Sequence, residues 1–387
     1  MGKENIAKQM SKVWLLRAIC VCIFCATLVA GLWPFTPHPA NRVSWAGNGY
    51  GIRFGKRGII FSSGAFKMPT AARNAACSIE IWLQPGSDDA ANTILTFFTP
   101  ENPERFKLRQ YLDGLLVQRQ IRDQQNRLRT SEMEIEHIFR QKKQAFVTVT
   151  SGAEGTAVYS DGVLVAMSPH FGLSSQDFSG QLVLGASPIA YDTWLGQLRG
   201  LAIYNQELSA TQVLRHYHTW TETGHVEIPE KEGIVAIYRF AEQAGKVIHN
   251  RVDSGPDLYI PEHFLILRKA FLEPPWKEFR LDRTYLKDVI INVAGFIPLG
   301  FFFCTYLSLT GHSNRARFAT IILGGTVSLT IEILQAYLPT RSSGMTDILT
   351  NTLGTGIGVI LFGLRPVQAL LAKIAIPIKQ QDKALGD

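Results

Sequence analysis

Seven polar side chains interrupt the most apolar third of this sequence. They are Asp288, Asn292, Glu332, Gln335, Arg341, Asp347 and Asn351. An ionisable group inside a membrane span is energetically costly, so by default it marks a functional site or a contact between helices. Carboxylates can hold hydroxyl groups or exchange protons, and a guanidinium suits phosphate or carboxylate. The sequence therefore predicts an intramembrane polar binding site formed by these seven residues.

Four hydrophobic segments are long enough to carry these residues through a bilayer. A spanning helix needs about 20 apolar residues, and the predicted spans are 13–33, 288–309, 318–338 and 347–364. Asp288 and Asp347 open two of these spans, while Glu332 and Gln335 close the one between them. All seven polar residues are therefore expected toward one side of the membrane.

The short loops and the tails differ in positive charge. The basic residues on one side are Lys3, Lys8, Lys12, Arg315, Arg317, Arg365, Lys373, Lys379 and Lys383. The opposite short loop holds Arg341 alone. Because short loops rich in Lys and Arg stay in the cytoplasm, we predict cytoplasmic tails at 1–12 and 365–387. The protein is then a multi-pass protein of the cell (inner) membrane, with the region between its first two spans periplasmic or extracellular.

Two features allow other interpretations. The segment 268–287 is basic, but long translocated domains largely escape the charge rule. Its aromatic residues also suit a segment that lies on anionic headgroups. The first span has the basic start of a signal peptide, yet its apolar run is long and no A-x-A cleavage site follows. An uncleaved anchor is therefore favoured.

The net charge of +7 is explained by this membrane anchoring, and nothing in the chain indicates a nucleic-acid partner. Four of the five cysteines lie in predicted spans, which leaves Cys77 alone in the soluble part. An internal disulfide is therefore excluded there.

Residues 45–267 have the pattern of an all-β sandwich. Short strand-like runs alternate with turn residues, and the clearest hairpin is 157–165, with Asp161-Gly162 at its turn. Ser209 is the expected N-cap of a helix that runs to about His218.

This order of elements resembles the concanavalin A-like lectin/glucanase jelly roll in its laminin-G-like form. The matching pieces are the strand 78–85, the hairpin turn at 161–162 and the strand, turn and helix start at 196–210. The resemblance implies a domain that binds glycans or proteins, and some relatives cleave β-glucans.

The residues themselves favour binding over cleavage. Glucanase relatives carry alternating acids of the form Glu-Ile-Asp-Ile-Glu, whereas this chain has Glu132-Met-Glu-Ile-Glu136, which suits a solvated strand face. His216 and His218 lack a metal-binding partner motif, and Trp82 and Trp194 suit a core better than a sugar platform. No catalytic residue, metal site or cofactor is therefore predicted, and an enzymatic role stays open without being favoured.

The apolar third is similar to the VanZ-like membrane family, named for a factor linked to teicoplanin resistance. The match consists of Asn292…Phe296-x-Pro298-x-Gly300, Glu332-x-x-Gln335, Arg341 and Asp347-x-x-x-Asn351-x-x-Gly354-x-x-x-Gly358. It covers 286–364, so the jelly-roll sandwich is expected as an insertion in a four-helix transmembrane module. The resemblance implies a class of membrane protein and supplies no reaction.

Three functions follow from these patterns. The first is an envelope protein that binds cell-wall or exported polysaccharide, or acts in glycopeptide resistance, with membrane lipid and a glycan or lipid-linked saccharide as partners. In it Arg341 binds an anion while Glu332 and Asp347 hold hydroxyls or exchange protons. The second is a membrane enzyme or transporter acting on a lipid-linked substrate at the acidic residues. The third is a scaffold whose sandwich binds another envelope protein.

Overall fold

The computed structural model describes residues 3–47, 50–68, 76–86, 92–223, 232–253, 255–279, 283–310 and 315–373. Lys379 and Lys383 of the predicted tail lie outside these ranges. The chain divides into two compact units. The helical unit comprises Met1–Pro37 with Ala270–Asp387, and the β unit comprises His38–Lys269.

The β unit consists mainly of antiparallel strands. They are β1 Val43–Trp45, β2 Ile52–Phe54, β3 Ile60–Phe66, β4 Cys77–Pro85, β5 Asn92–Phe98, β6 Phe106–Tyr111, β7 Gly114–Arg122, β8 Leu128–Ile135, β9 Ala145–Gly152, β10 Gly155–Ser160, β11 Val163–Ser168, β12 Gly180–Leu184, β13 Gly196–Tyr204, β14 Ile234–Tyr238, β15 Val247–Ile248 and β16 Leu258–Tyr259.

These strands form two sheets packed as a sandwich. The first sheet has the order β1-β2-β13-β4-β9-β10-β11, with β14 also paired to β13, and the second has the order β15-β16-β3-β12-β5-β6-β7-β8. Alternate residues of each strand point inward, so Ile81 and Val147 of the first sheet share one buried core with Phe97, Phe106 and Leu108 of the second. The predicted all-β sandwich is confirmed.

Both outer faces are partly covered. Helix α2, Ala210–His218, places Val213 in a second apolar cluster with Phe146 and Tyr204 of the first sheet. On the second sheet, Phe264 packs in a cluster with Val183. The outer face of the second sheet therefore has an apolar part around Phe264 and a polar part formed by β5 to β8.

Local sequence signals explain two details that the structure confirms. Asp161 and Gly162 have φ of 50° and 80° and join β10 to β11, because Asp and Gly tolerate the positive φ of a tight hairpin turn. Ser209 caps α2 and exchanges hydrogen bonds with Gln212, which is a capping box.

The helical unit contains α1 Lys3–Leu32, α3 Pro275–Glu278, α4 Arg283–Leu309, α5 Ala316–Ala336, α6 Met345–Gly363 and α7 Arg365–Lys373. Within the described residues, four helices are long and apolar enough to cross a membrane: Ser11–Leu32, Tyr285–Leu309, Ala316–Ala336 and Met345–Gly363. The sandwich is thus inserted between the first and second of them, as predicted. α1 begins inside the predicted N-terminal tail, and α7 lies in the predicted C-terminal one.

Small residues bring the helices of this unit close together. A Cβ on Gly354 or Gly358 of α6 would collide with the α4 carbonyl oxygens of Val293 and Ile297, and one on Gly300 of α4 would collide with the backbone of Thr355. The absence of these side chains therefore permits direct backbone packing of α4 on α6, as in other small-residue membrane interfaces.

Candidate functional site

The predicted polar residues gather at one end of the helical unit. The end of α1, the end of α5 and the start of α6 lie there, together with the first turns of α4. Five of the seven residues, Asp288, Asn292, Glu332, Asp347 and Asn351, belong to the surroundings of the α6 N-terminus. The other two, Gln335 and Arg341, contact the end of α1.

Helix α6 begins with Gly344 as its N-cap, which has no side chain to accept a hydrogen bond. Glu332 of α5 accepts from the Gly344 N–H through Oε2 at 2.8 Å, which is the N–H that the N3 acid pairs in a capping box. The next two N–H groups, of Met345 and Thr346, donate to the Glu273 carbonyl at 2.9 Å and to Glu278 Oε2 at 2.9 Å. Carboxylates are stabilised at this position by the free N–H groups and the helix dipole.

Asp347 lies in the first turn of α6 and joins three helices. Its Oδ1 accepts from Asn292 Nδ2 of α4 at 2.7 Å, and its carboxyl group also interacts with Glu332. The side chain of Asp288 is exposed, and its charge acts on Asp347. Glu332, by contrast, is 1% exposed. Four carboxyl groups, including that of Glu278, therefore share one small region.

Asn351 lies one turn further along α6 and is 5% exposed. Its Nδ2 donates to Ser328 Oγ of α5 at 2.9 Å, and Ser328 in turn faces the Asp347 carbonyl oxygen at 3.5 Å. The Oδ1 of Asn351 is buried and has no hydrogen-bond partner. An unpaired buried acceptor is uncommon in a folded protein and needs an explanation. We call Glu278, Asp288, Glu332, Asp347 and Asn351 the helix-end cluster.

Gln335 and Arg341 bind the last carbonyl groups of α1. Gln335 Nε2 donates to Gly31 O at 2.7 Å. Arg341 Nη2 donates to Trp33 O and lies 3.5 Å from Gly31 O. A helix leaves its final carbonyls unpaired, and a basic side chain there also complements the dipole. Among the described contacts, Arg341 therefore bonds to main-chain carbonyls rather than to carboxylates.

The sequence interpretation missed Glu278. The segment around it was considered for its basic and aromatic residues, which suited a headgroup-binding surface. The overlooked signal was Pro274-Pro275, because proline at the first helical position starts a helix, and α3 begins at Pro275. Even so, Glu278 and Thr346 are 68 residues apart in the sequence, so local signals do not predict their contact.

Within the described ranges, no group of three or more His, Cys, Asp or Glu side chains is arranged to hold a metal ion. The carboxylates of the helix-end cluster instead accept hydrogen bonds from main-chain and amide N–H groups.

The β unit contains a separate buried ionic network around His216. Its Nδ1 lies 3.0 Å from Glu80 Oε1, its Nε2 lies 2.7 Å from Glu232 Oε2, and Tyr204 Oη donates to Glu80 Oε2 at 2.6 Å. Burial opposes charging of the imidazole, but the hydrogen bonds and charges of Glu80 and Glu232 outweigh it and raise the pKa of His216. Burial likewise disfavours the Glu232 carboxylate, yet hydrogen bonds from His216 and Arg215 lower its pKa.

The polar part of the second sheet carries a continuous row of hydrogen-bonding side chains. Thr96, Lys107, Gln118 and Glu132 are register partners on the adjacent strands β5, β6, β7 and β8. Gln118 Nε2 donates to Glu132 Oε2 at 2.7 Å, and Lys107 pairs with Glu104 at 2.8 Å. Gln118 is 7% exposed, and its Oε1 has no partner. We call these four residues the polar row.

The alternating acids of β8 lie on the solvent side of the strand. Glu132 and Glu134 are exposed, whereas Met133 and Ile135 are buried, and Glu136 lies beyond the end of the strand. This is the arrangement expected of a solvated strand face. Trp194 is fully buried and donates to Gln110 Oε1 at 2.8 Å, so its predicted place in the core is confirmed.

Two family models match the chain. One, described as VanZ/LLP1, matches residues 234–366, and the other, described as the concanavalin A-like lectin/glucanases superfamily, matches residues 62–214. Protein VanZ of Enterococcus faecium is 32% identical over 78 residues, which are 20% of this chain and 45% of that protein. The chain thus spans less than half the length of this curated relative.

Solved structures similar to the chain include a putative carbohydrate binding protein and a pentraxin. A putative carbohydrate binding protein from Bacteroides ovatus is 12% identical with a TM-score of 0.37, covering 60% of this chain and 62% of its own. A SAP-like pentraxin from Limulus polyphemus is 13% identical with a TM-score of 0.35, covering 57% of this chain and 95% of its own.

Proposed function

We propose that this chain, which combines a VanZ-like domain at 234–366 with a concanavalin A-like domain at 62–214, is a cell-envelope membrane protein that binds a glycan. The β unit lies outside the cytoplasm and holds cell-wall or exported polysaccharide on the polar row. The helical unit anchors it in the membrane. The charge bias of the short loops supports this orientation.

The polar row is the observation that carries the proposal. A glycan presents hydroxyl groups that both donate and accept, so its binding surface needs both kinds of partner close together. The row offers an ammonium group at Lys107, an amide at Gln118 and a carboxylate at Glu132 on three adjacent strands. Glu132 is the exposed residue of the row, so its carboxylate is open to ligand hydroxyls, and Gln118, which donates to it at 2.7 Å, holds that carboxylate in place. Tyr111, exposed at the end of β6, supplies an aromatic edge.

A glycan array of bacterial cell-wall and exopolysaccharide fragments tests this function. The detergent-solubilised full chain is compared with Gln118→Ala and with the control Arg53→Ala, an exposed position of β2 in the other sheet. We expect at least one glycan class to bind wild type and the control alike, and Gln118→Ala to bind it about tenfold more weakly, since a lost hydrogen bond costs about 1 kcal/mol or more. Binding that is unaffected by Gln118→Ala contradicts the assignment to the polar row.

An array without any binding favours the scaffold function, in which the sandwich binds an envelope protein. Crosslinking of the full chain in intact cells then identifies that protein. The same β unit serves in both cases, so the array is the experiment that separates them.

A second candidate function is supported by the helix-end cluster. Ionisable side chains inside membrane segments mark substrate or ion pathways. Glu332 is buried in the cluster, and Asn351 adds an unpaired acceptor there. In this function the helical unit acts on a lipid-linked substrate. Glu332→Gln keeps an acceptor for the Gly344 N–H. If cells that make this variant at the normal protein level show an envelope defect, the result supports the second candidate function. A wild-type phenotype contradicts it.

A further inference from the structure

The helix-end cluster offers acceptors almost exclusively. Its members contribute the oxygens of four carboxyl groups and the amide oxygen of Asn351, while the amide nitrogen of Asn351 already donates to Ser328. The guanidinium of Arg341, in the loop between Glu332 and Asp347, bonds to the carbonyls of Gly31 and Trp33. Within the described part of the chain, no basic side chain forms an ion pair with these carboxylates. An anionic ligand would therefore meet like charge.

A second, independent observation indicates a missing donor. Asn351 is only 5% exposed, and its Oδ1 is buried without a hydrogen-bond partner. Asn351 and Asp347 are four residues apart on α6 and so share a helix face. Leaving a buried acceptor of this kind without a donor destabilises the folded protein. The group that fits beside Asp347 and Asn351 is one with several N–H donors and positive charge.

We propose that the helix-end cluster binds a primary ammonium group. This assignment names a ligand class for the second candidate function, and it rests on that function. Such an ammonium occurs in an amine-bearing lipid headgroup or in a soluble amine. The surroundings favour the lipid, because Met345 and Leu349, which flank Asp347 along α6, are exposed apolar side chains. The exposed Arg283 and Lys287 of α4 provide countercharge for the phosphate of that headgroup.

Lipid retention in nanodiscs tests this proposal. The full chain is reconstituted in phosphatidylcholine containing a minor share of phosphatidylethanolamine, of its N,N-dimethyl derivative or of phosphatidylglycerol. Lipids that remain bound are counted by native mass spectrometry. We expect phosphatidylethanolamine to be retained about tenfold over phosphatidylcholine, because hydrogen bonds to charged groups contribute about 1.5–3 kcal/mol. The dimethyl derivative should fall between them, and phosphatidylglycerol should not be retained.

Variants connect the selectivity to the cluster. Asp347→Asn and Asn351→Leu should each remove most of it, while Thr352→Val, a neighbouring α6 position whose hydroxyl bonds only to Ile348 O, should keep it. Each variant is first checked for a single species by size exclusion. If one fails this check, Asp288→Asn at an exposed position replaces it, and it should lower the selectivity. Equal retention of both zwitterionic lipids, or selectivity unchanged in the cluster variants, overturns the proposal.

Soluble ethanolamine added to discs that contain the minor share of phosphatidylethanolamine separates the two sources. Competition by it at millimolar concentration assigns the site to a soluble amine, and no competition assigns it to the lipid. The envelope phenotype of Glu332→Gln, measured separately, reports on the second candidate function itself. A wild-type phenotype with lipid selectivity intact refutes that function while leaving the ammonium site in place.

Discussion

Glu332 and Glu278 together supply what the N-cap of α6 lacks. Gly344 has no side chain, and a first turn in an apolar environment has no water to pair its N–H groups. Two acids from elsewhere in the chain accept from Gly344 and Thr346. Glu332 thus stabilises the start of α6 and also belongs to the helix-end cluster. Substitutions of Glu332 must therefore distinguish a loss of stability from a loss of function.

Replacing Glu332 by alanine should destabilise the helical unit. The Gly344 N–H then loses its acceptor, and a buried unpaired donor costs about 1–3 kcal/mol. Glu332→Gln keeps a carbonyl oxygen and should cost less than half of this. Thermal unfolding in detergent measures the difference, with the exposed Thr330→Ala of α5 as control. Identical midpoints for Glu332→Ala and wild type would show that Glu332 does not cap α6.

The His216 network should give the β unit a characteristic pH dependence. The raised pKa of His216 means that its contribution is complete below its ordinary value of 6.5 and is lost as the pH rises through the higher folded value. The lowered pKa of Glu232 means that its contribution is complete above 4.5 and is lost as the pH falls through the lower folded value. Stability from this pair is therefore greatest between about pH 4.5 and 6.5.

Urea unfolding of the full chain, followed by fluorescence at several pH values, measures this dependence. Wild type should lose stability as the pH rises above 6.5. His216→Gln should lose that slope and be less stable by about 3–5 kcal/mol at pH 6, because two buried carboxylates lose a partner. His218→Gln, at an exposed position, is the matched control. A slope that persists in His216→Gln assigns it to other groups.

At the scale of elements, the described parts of α4 and α6 pack backbone against backbone. Gly354 and Gly358 face the carbonyls of Val293 and Ile297, whereas a Cβ on Gly356 would have no neighbour within 4 Å. The same helix therefore contains a test position and its control two residues apart.

Gly358→Leu should separate α4 from α6, while Gly356→Leu should be tolerated. Overpacking of a close contact costs about 1–3 kcal/mol or more, and here the obstacle is a rigid main chain. The detergent-resistant folded fraction after heating measures both variants. Equal loss in the two would mean that leucine harms α6 in general and that the close contact is unimportant.

Arg341 connects the loop after α5 to the end of α1. Arg341→Ala should release the last turn of α1, and hydrogen–deuterium exchange of residues 28–33 should increase about tenfold, since a hydrogen bond to a charged group contributes about 1.5–3 kcal/mol. Arg317→Ala, in the first turn of α5 at the opposite end, serves as control. Unchanged exchange in Arg341→Ala contradicts the capping role.

At the scale of the whole molecule, hydropathy and loop charge predict an orientation that chemical labelling can check. In a background without native cysteines, an impermeant thiol reagent should label Ser342→Cys in intact cells and leave Thr310→Cys unlabelled. Both positions are exposed, whereas neighbouring Ser343 is 3% exposed and unsuited to labelling. The reverse pattern places the β unit in the cytoplasm and moves the helix-end cluster to the inner leaflet.

Local signals predicted most of the architecture, and distant contacts account for the rest. The turn at Asp161-Gly162, the cap at Ser209 and the apolar helices follow from neighbouring residues. The partners of Arg341 and Glu278 do not, because Arg341 meets Trp33 across 308 residues and Glu278 meets Thr346 across 68. The polar row likewise depends on the register of four strands, which alternation within one strand leaves undetermined.

The capping of α1 by the C-terminal part of the chain has a consequence for biosynthesis. Gln335 is made 304 residues after the Gly31 carbonyl that it binds, which is roughly 15–60 s at about 5–20 residues per second. During that delay α1 is in the bilayer before its partners exist. It is suited to this wait, since only 11% of its span is buried in the finished structure, against 28% to 39% for the others. The last carbonyls of α1 thus gain these partners only after α5 and the loop behind it have been synthesised.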